Sequence, residues 1–135
     1  MKTKLQVIAL IRRLTNGGPL DALPKKHADA RVLLALAASS LMPRQRYSEV
    51  ELNEHLAEWL EGFTHPRCLD HVTIRRGMVD ESMLHRDTRG SYYLVNETIV
   101  SLVLEPDARS VRPVDVYNEV QFERRRRKRF HPEAS

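Results

Sequence analysis

The side chains with the clearest chemical potential form an uninterrupted run of six cations near the C-terminus, reading RRRRKR. Guanidinium and ammonium groups at this density attract phosphate, and their binding to nucleic acid releases counterions and depends steeply on salt. We interpret the run as an arm that binds DNA or RNA, a contact to another anionic partner, or a solvated charged terminus; the first is the commonest use. Its members are Arg124, Arg125, Arg126, Arg127, Lys128 and Arg129.

The rest of the chain is not basic, although the whole protein carries a formal charge of +4. Without the run, residues 1–123 hold 16 basic and 17 acidic side chains, which gives a net charge of −1. Any attraction of this part to phosphate must therefore be local.

A predicted helix over residues 69–82 carries the next candidates. Apolar residues recur on one arc at helical spacing; Arg75 lies inside that arc, and Thr73 and Arg76 lie outside it. We expect Arg75 to be partly buried and paired with an acidic residue of the preceding helix. Thr73 and Arg76 are candidates for contact with DNA, and Arg76 is equally well placed for a helical pair with Asp80, worth about 0.2–0.5 kcal/mol.

A predicted β-hairpin supplies two further arginines. Residues 84–86 and 91–95 are prone to form strands and flank a four-residue turn, 87–90, that ends in glycine. Arg86 and Arg89 on such a hairpin would suit a wing that touches the DNA backbone or minor groove, or else a solvated charged turn.

Catalysis and metal binding find little support in the sequence. His65, Cys68 and His71 are residue types that zinc prefers, but a second, distant pair of ligands is missing. Asp70 and Ser48 are better placed as helix N-caps, and no glycine-rich phosphate loop is present. We expect no catalytic residue, no metal and no cofactor, and we do not expect an enzyme.

The composition also bears on the compartment. One cysteine excludes an intrachain disulfide. The apolar stretch 5–11 is too short for a signal peptide and runs into two arginines, and no run approaches the roughly 20 apolar residues of a membrane span. We therefore expect a cytoplasmic protein that does not bind membrane.

The elements that must position these residues are mostly helical. Helical spacing predicts a helix over 2–14; a second, apolar nearly all round, opens at Pro24 and ends before Pro43. A third begins after Ser48, which forms a capping box with Glu51. Late helices are expected over 97–104 and, less regularly, 114–130. The third helix presents an acidic face that would repel phosphate, made of Glu49, Glu51, Glu54, Glu58 and Glu61.

This order predicts a mainly α protein with a small β-hairpin (α+β), in which a winged helix-turn-helix-like core carries N- and C-terminal helical extensions. We divide the chain into an N-terminal helix and turn (1–18), the winged-helix-like domain (19–105) and a basic C-terminal tail that could be helical (106–135).

Residues 23–95 contain an ordered set of short motifs that resembles a known family. They are Pro24-Lys25-Lys26, Arg31-Val32-Leu33, Tyr47-Ser48-Glu49-Val50, Leu52-Asn53, Asp70, Thr73-Ile74-Arg75-Arg76, Val79-Asp80, Leu84-x-Arg86 and Gly90-Ser91-x-Tyr93. The family is the bacterial domain of unknown function 2087, which occurs alone or attached to transcription-regulator domains. The resemblance implies a winged-helix-like fold and no established activity. This sequence has Ser82 where the family usually has glycine, and Gly77 where it has a better helix former; the latter costs about 1 kcal/mol relative to Ala and predicts a looser helix end.

These features lead to two functional hypotheses. The first is a DNA-binding module, a transcription regulator or accessory, whose partner is nucleic acid, with DNA favoured over RNA. Apolar faces on the first helix and on the helix over 97–104 could support a homodimer. The second is a protein- or RNA-interaction module on the same fold, without sequence-specific reading of DNA, which the nearly neutral core and the acidic helix favour.

Overall fold

The computed structural model describes residues 1–89 and 91–130. In this part of the chain the protein is mainly α-helical with one small antiparallel β-hairpin, as the sequence predicts. None of its helices is long and apolar enough to cross a membrane. The elements are α1 (Lys4–Thr15), α2 (His27–Ser39), α3 (Glu49–Leu60), α4 (His71–Asp80), β1 (Leu84–Arg86), β2 (Tyr93–Val95), α5 (Glu97–Val103), a 3₁₀ helix (Pro106–Ser110) and α6 (Pro113–Phe130).

Helix α2 is the centre of the core. Seven consecutive residues, 32–38, are buried, so neighbours pack against every side of this helix. Gly77 of α4 meets it at close range: a Cβ atom added to this glycine would lie 2.9 Å from Cδ2 of Leu34. Gly77 thus has a packing role, because a side chain at this position would force Leu34 to shift.

Helices α1 and α6 extend the core. Thr3 begins α1 with a capping box, in which its hydroxyl oxygen accepts from the Gln6 amide (3.1 Å) and its own amide donates to Gln6 Oε1 (2.9 Å). The continuous apolar core includes Val7 of α1 and Val116 of α6, and Val120 is also buried. Residues 113–130 therefore form a helix whose first turns pack on the core, while residues 131–135 of the predicted basic tail lie outside the described residues.

The predicted hairpin forms between β1 and β2, with Leu84 opposite Val95 and Arg86 opposite Tyr93. Its second strand is shorter than expected, because only residues 93–95 pair. Tyr47, just before α3, adds two backbone hydrogen bonds to Tyr93, of 2.9 and 2.7 Å, and so ties the hairpin to the start of α3. Gly90, which was expected to end the turn, lies outside the described residues.

Helix α4 ends in a left-handed residue. Ser82 has φ of 61°, its amide donates to the Val79 carbonyl (3.0 Å), and the Met83 amide donates to the Met78 carbonyl (2.8 Å). These two bonds form a Schellman motif, whose left-handed position is usually glycine. Ser82 stands where the resemblance implies glycine, and this is a position at which a side chain is destabilising. The left-handed conformation costs a residue with a Cβ atom about 1–2 kcal/mol of conformational free energy.

Replacing Ser82 with glycine should stabilise the protein. We expect Ser82→Gly to raise the free energy of unfolding by about 1 kcal/mol, because the left-handed conformation costs glycine nothing. Urea unfolding measures the change. The control is Ser101→Gly in α5, where the same substitution should destabilise by about 0.5–1 kcal/mol. Equal effects of the two substitutions would show that conformation at Ser82 is not the cause.

Candidate nucleic-acid interface

The start of α4 is fixed by its predicted N-cap. One carboxylate oxygen of Asp70 accepts hydrogen bonds from the amide and from the hydroxyl of Thr73, each at 3.0 Å. The amide bond is the largest of the effects that hold the pKa of Asp70 below its ordinary value, followed by the hydroxyl bond, because both bonds stabilise the charged carboxylate. Thr73 is exposed, but its hydroxyl hydrogen already has an acceptor.

Arg75 has the structural role that the sequence predicts. Its guanidinium donates to Asn53 Oδ1 (2.6 Å) and lies 3.2 Å from a carboxylate oxygen of Glu49, both on α3. The Arg75 side chain is only 15% exposed. This arginine therefore joins α4 to α3 and is not available to a ligand.

Arg76 has the opposite environment, one residue further along α4. It is exposed, and no carboxylate among the described residues lies within ion-pair distance of it, so the alternative pair with Asp80 does not form. Among the exposed residues of α4, the positive charge of Arg76 is countered only by Asp80 in the last turn. The surface of α4 is therefore weakly charged.

The hairpin carries its arginines on a fixed turn. Asp87 Oδ1 accepts from the Ser91 amide at 2.6 Å, which closes the turn although Gly90 itself is not described. Arg86 lies over the ring of Tyr93, 5.7 Å from its centroid, and is still exposed. Arg89 is exposed at the turn. Both guanidiniums are therefore accessible to an anionic ligand.

Helix α6 carries the largest accessible charge. Arg12 of α1 donates to Glu123 at 2.5 Å, a bond that lowers the pKa of Glu123 and raises that of Arg12. Arg124 donates to the carbonyl of Asn16, just past the end of α1. Residues 125–130 continue α6 by about 9 Å beyond that contact.

The five residues after Arg124 are all exposed and are named here the cationic segment. Within the described chain they make no ion pair or side-chain hydrogen bond. The segment consists of Arg125, Arg126, Arg127, Lys128 and Arg129.

Among the described residues the acidic face of α3 makes no ion pair with this segment; of its five carboxylates only Glu49 is paired, with Arg75 of α4. The turn after α3 lies against the first part of α6, where a Cβ atom added to Gly62 would lie 2.8 Å from Cγ2 of Val114.

The candidate residues lie on three elements of the fold, here called the three patches: Arg76 on α4, Arg86 and Arg89 on the hairpin, and the cationic segment on α6. Phe122, an exposed aromatic residue of α6, was not among the candidate residues predicted from the sequence. Its spacing to Arg125, Arg126 and Arg129 is helical and could have identified it, since such residues share one face.

His65, Cys68 and His71, near the start of α4, do not form a metal-binding group in the described structure. Cys68 Sγ lies 3.7 Å from His65 Nδ1, and Asp70 is occupied as a helix cap. In the part of the chain that is described, no three His, Cys, Asp or Glu side chains are grouped to hold a metal ion.

Comparison with known proteins yields a family. The family model described as "Uncharacterized protein conserved in bacteria (DUF2087)" matches residues 19–95, more than half of the chain. The protein belongs to this family. The DUF2087 span contains α2, α3, α4 and the hairpin, and leaves α1, α5 and α6 outside. No curated protein and no solved structure gives a match.

The contrasting environments of two neighbouring arginines predict contrasting stabilities. Arg75→Ala should lower the free energy of unfolding by about 1–2 kcal/mol, because it leaves Asn53 without its charged donor and opens a half-buried site. Arg76→Ala should change it by less than about 0.5 kcal/mol. Denaturant unfolding of both variants tests this; similar losses would contradict the assigned roles.

The cap of α4 predicts a dependence on pH. Asp70 has a lower pKa in the folded state than its unfolded value of about 3.9, so its contribution is complete above that pH and is lost as the pH falls through the folded pKa. Asp70→Asn keeps a capping oxygen without the charge. The difference in unfolding free energy between the native protein and this variant should be constant from pH 5 to 8 and shrink below about pH 4.

Asp80→Asn is the control for this measurement, because the Asp80 carboxylate accepts no hydrogen bond in the described structure. An equal pH dependence in both variants would show that the cap is not its source.

Proposed function

We propose that the protein is a nucleic-acid-binding module that binds duplex DNA, with a regulatory or accessory role in transcription. Helix α4 would lie against the major groove through Arg76, the hairpin would contact the backbone or minor groove, and the cationic segment would bind phosphates. The order of α2, α3, α4 and the hairpin is that expected of a winged helix and supports this arrangement.

One observation carries the proposal: five consecutive cations are held on a helix that projects past its last contact with the body of the protein. A helix fixes the positions of the cations before binding, so less conformational entropy is lost on contact than with a flexible arm. Thr73 is the weakest of the proposed contacts, because its hydroxyl donates to Asp70.

A protein-interaction module is the second candidate, and the exposed acidic face of α3 favours it. Residues 1–123 have a net charge of −1, so the surface outside the cationic segment, and the acidic face of α3 in particular, could attract a basic partner. A homodimer also remains a proposal. Leu5 and Leu102 are 80% and 59% exposed and offer apolar surface for it.

Binding to a random-sequence duplex of about 16 base pairs, measured by fluorescence anisotropy between about 50 and 200 mM salt, tests the proposal. Changing all five residues of the cationic segment to glutamine should reduce the slope of log K against log salt by up to about 4, because each phosphate contact contributes about 0.9. A triple change, Arg76→Ala with Arg86→Ala and Arg89→Ala, should weaken binding further. The control is Lys25→Gln with Lys26→Gln, two exposed cations outside the three patches.

The outcomes separate the candidates. If the triple change has no effect while the glutamine variant loses all binding, α4 and the hairpin do not contact DNA. If the native protein does not bind the duplex at any salt concentration, the proposal is wrong and the protein-interaction candidate takes its place.

A further inference from the structure

Phe122 is a large aromatic residue that α6 leaves in solvent. The side of the helix that packs on the core buries Val116 and Val120, whereas Phe122 is 63% exposed. A single exposed apolar side chain is common on protein surfaces and by itself needs no explanation. Its neighbours set this one apart.

Three arginines of the cationic segment surround the ring. Arg125, Arg126 and Arg129 follow Phe122 by three, four and seven positions, which places all four on one side of the helix. Together they line an open depression of about 460 Å³. Within the described chain none of these arginines has an ion-pair or side-chain hydrogen-bond partner, so all three guanidiniums are available. We call this surface the Phe122 face.

An aromatic ring among free guanidiniums matches the chemistry of an unpaired nucleotide. A base can stack on the ring, and the flanking phosphates can accept hydrogen bonds from arginine. In a duplex the bases are already stacked on each other, so a side chain reaches a base plane only by unstacking a base step, whereas an unpaired strand exposes that plane without this cost.

We propose that the Phe122 face binds single-stranded nucleic acid, with one unpaired base stacked on Phe122 and the adjoining phosphates held by Arg125, Arg126 and Arg129. This inference rests on the proposed function insofar as the cationic segment binds phosphate, and adds that the same segment discriminates a single strand from a duplex. The protein would then bind junctions or opened regions of DNA, where single and double strands meet.

The composition of the helix favours this partner over an anionic lipid surface. A helix that lies on a membrane needs a broad apolar face rich in Leu, Phe or Trp opposite its cations. Among the described side chains, the exposed side of α6 has one aromatic residue, Phe122, and the turns that precede it carry exposed Asp115, Asn118 and Glu119. Two carboxylates on that side would be repelled by anionic headgroups.

The first test compares a 12-nucleotide oligothymidylate with a duplex of equal length, by fluorescence anisotropy on the full chain. Phe122→Leu keeps an apolar side chain and removes the stacking ring, and should weaken binding to the single strand about tenfold. The affinity of Phe122→Leu for the duplex should change less than about twofold. Phe122→Trp, which keeps an aromatic ring, should bind the single strand as the native protein does. Met42→Leu, at an apolar residue that is 61% exposed before α3 and outside the proposed interface, is the control and should have no effect.

A second oligonucleotide isolates the base. An abasic 12-mer keeps the phosphates and lacks the bases, so the native protein should bind it about as weakly as Phe122→Leu binds oligothymidylate. Phe122→Leu should bind the abasic strand as the native protein does.

The remaining outcomes each overturn the inference. Equal losses on both strands would mean that Phe122 does not stack on a base, although phosphate binding stands. Failure to bind either strand or the duplex would overturn the proposed function as well. If Phe122→Leu weakened binding to vesicles of phosphatidylserine and phosphatidylcholine but not to either nucleic acid, the partner of this face would be a lipid surface instead.

Discussion

The burial of α2 on all sides is the constraint on which the rest of the structure depends. Residues 32–38 have no exposed member, so the other elements must cover the whole circumference of this helix. Helix α4 packs close to it at Gly77, where an added Cβ atom would meet the Leu34 side chain. The same helix buries Ile74 and Met78, and this packing leaves its two neighbouring arginines in different environments. The guanidinium of Arg75 donates to Asn53 of α3, whereas Arg76 is exposed to solvent. The accessible chemistry of α4 is thus a consequence of core packing.

A second consequence is the separation of charge. Helices α1 and α6 both pack against the core, and the Arg12–Glu123 pair joins them just before the cationic segment begins. The acidic face lies on α3, whereas the cationic segment lies at the C-terminal end of α6. A protein with almost no net charge outside its arginine run therefore still presents one strongly positive surface. This arrangement explains how a weakly charged member of the DUF2087 family could bind an anionic polymer.

Local signals in the sequence predicted much of this fold. Hydrophobic periodicity, the glycine-containing turn and the caps Ser48 and Asp70 act within a few residues, and the hairpin and both caps are confirmed. The capping box at Ser48 is only half formed, because the described hydrogen bonds include the one from the Glu51 amide and not its reciprocal. The box that does form in full, at Thr3, was not predicted. The packing of α6 on α1 could not be predicted, since it pairs residues more than 100 positions apart. The expected looseness at Gly77 considered helix propensity alone and omitted the contact with α2. The winged-helix docking of α4 stays a prediction.

The most direct test of the account is a nuclear magnetic resonance titration of the labelled protein with a short DNA duplex that carries a single-stranded overhang. The account predicts amide shift changes in three places: at Arg76, at the hairpin arginines Arg86 and Arg89, and from Phe122 to Arg129, with none along the acidic face of α3. Shift changes confined to α3, or none at all at millimolar DNA, would contradict it.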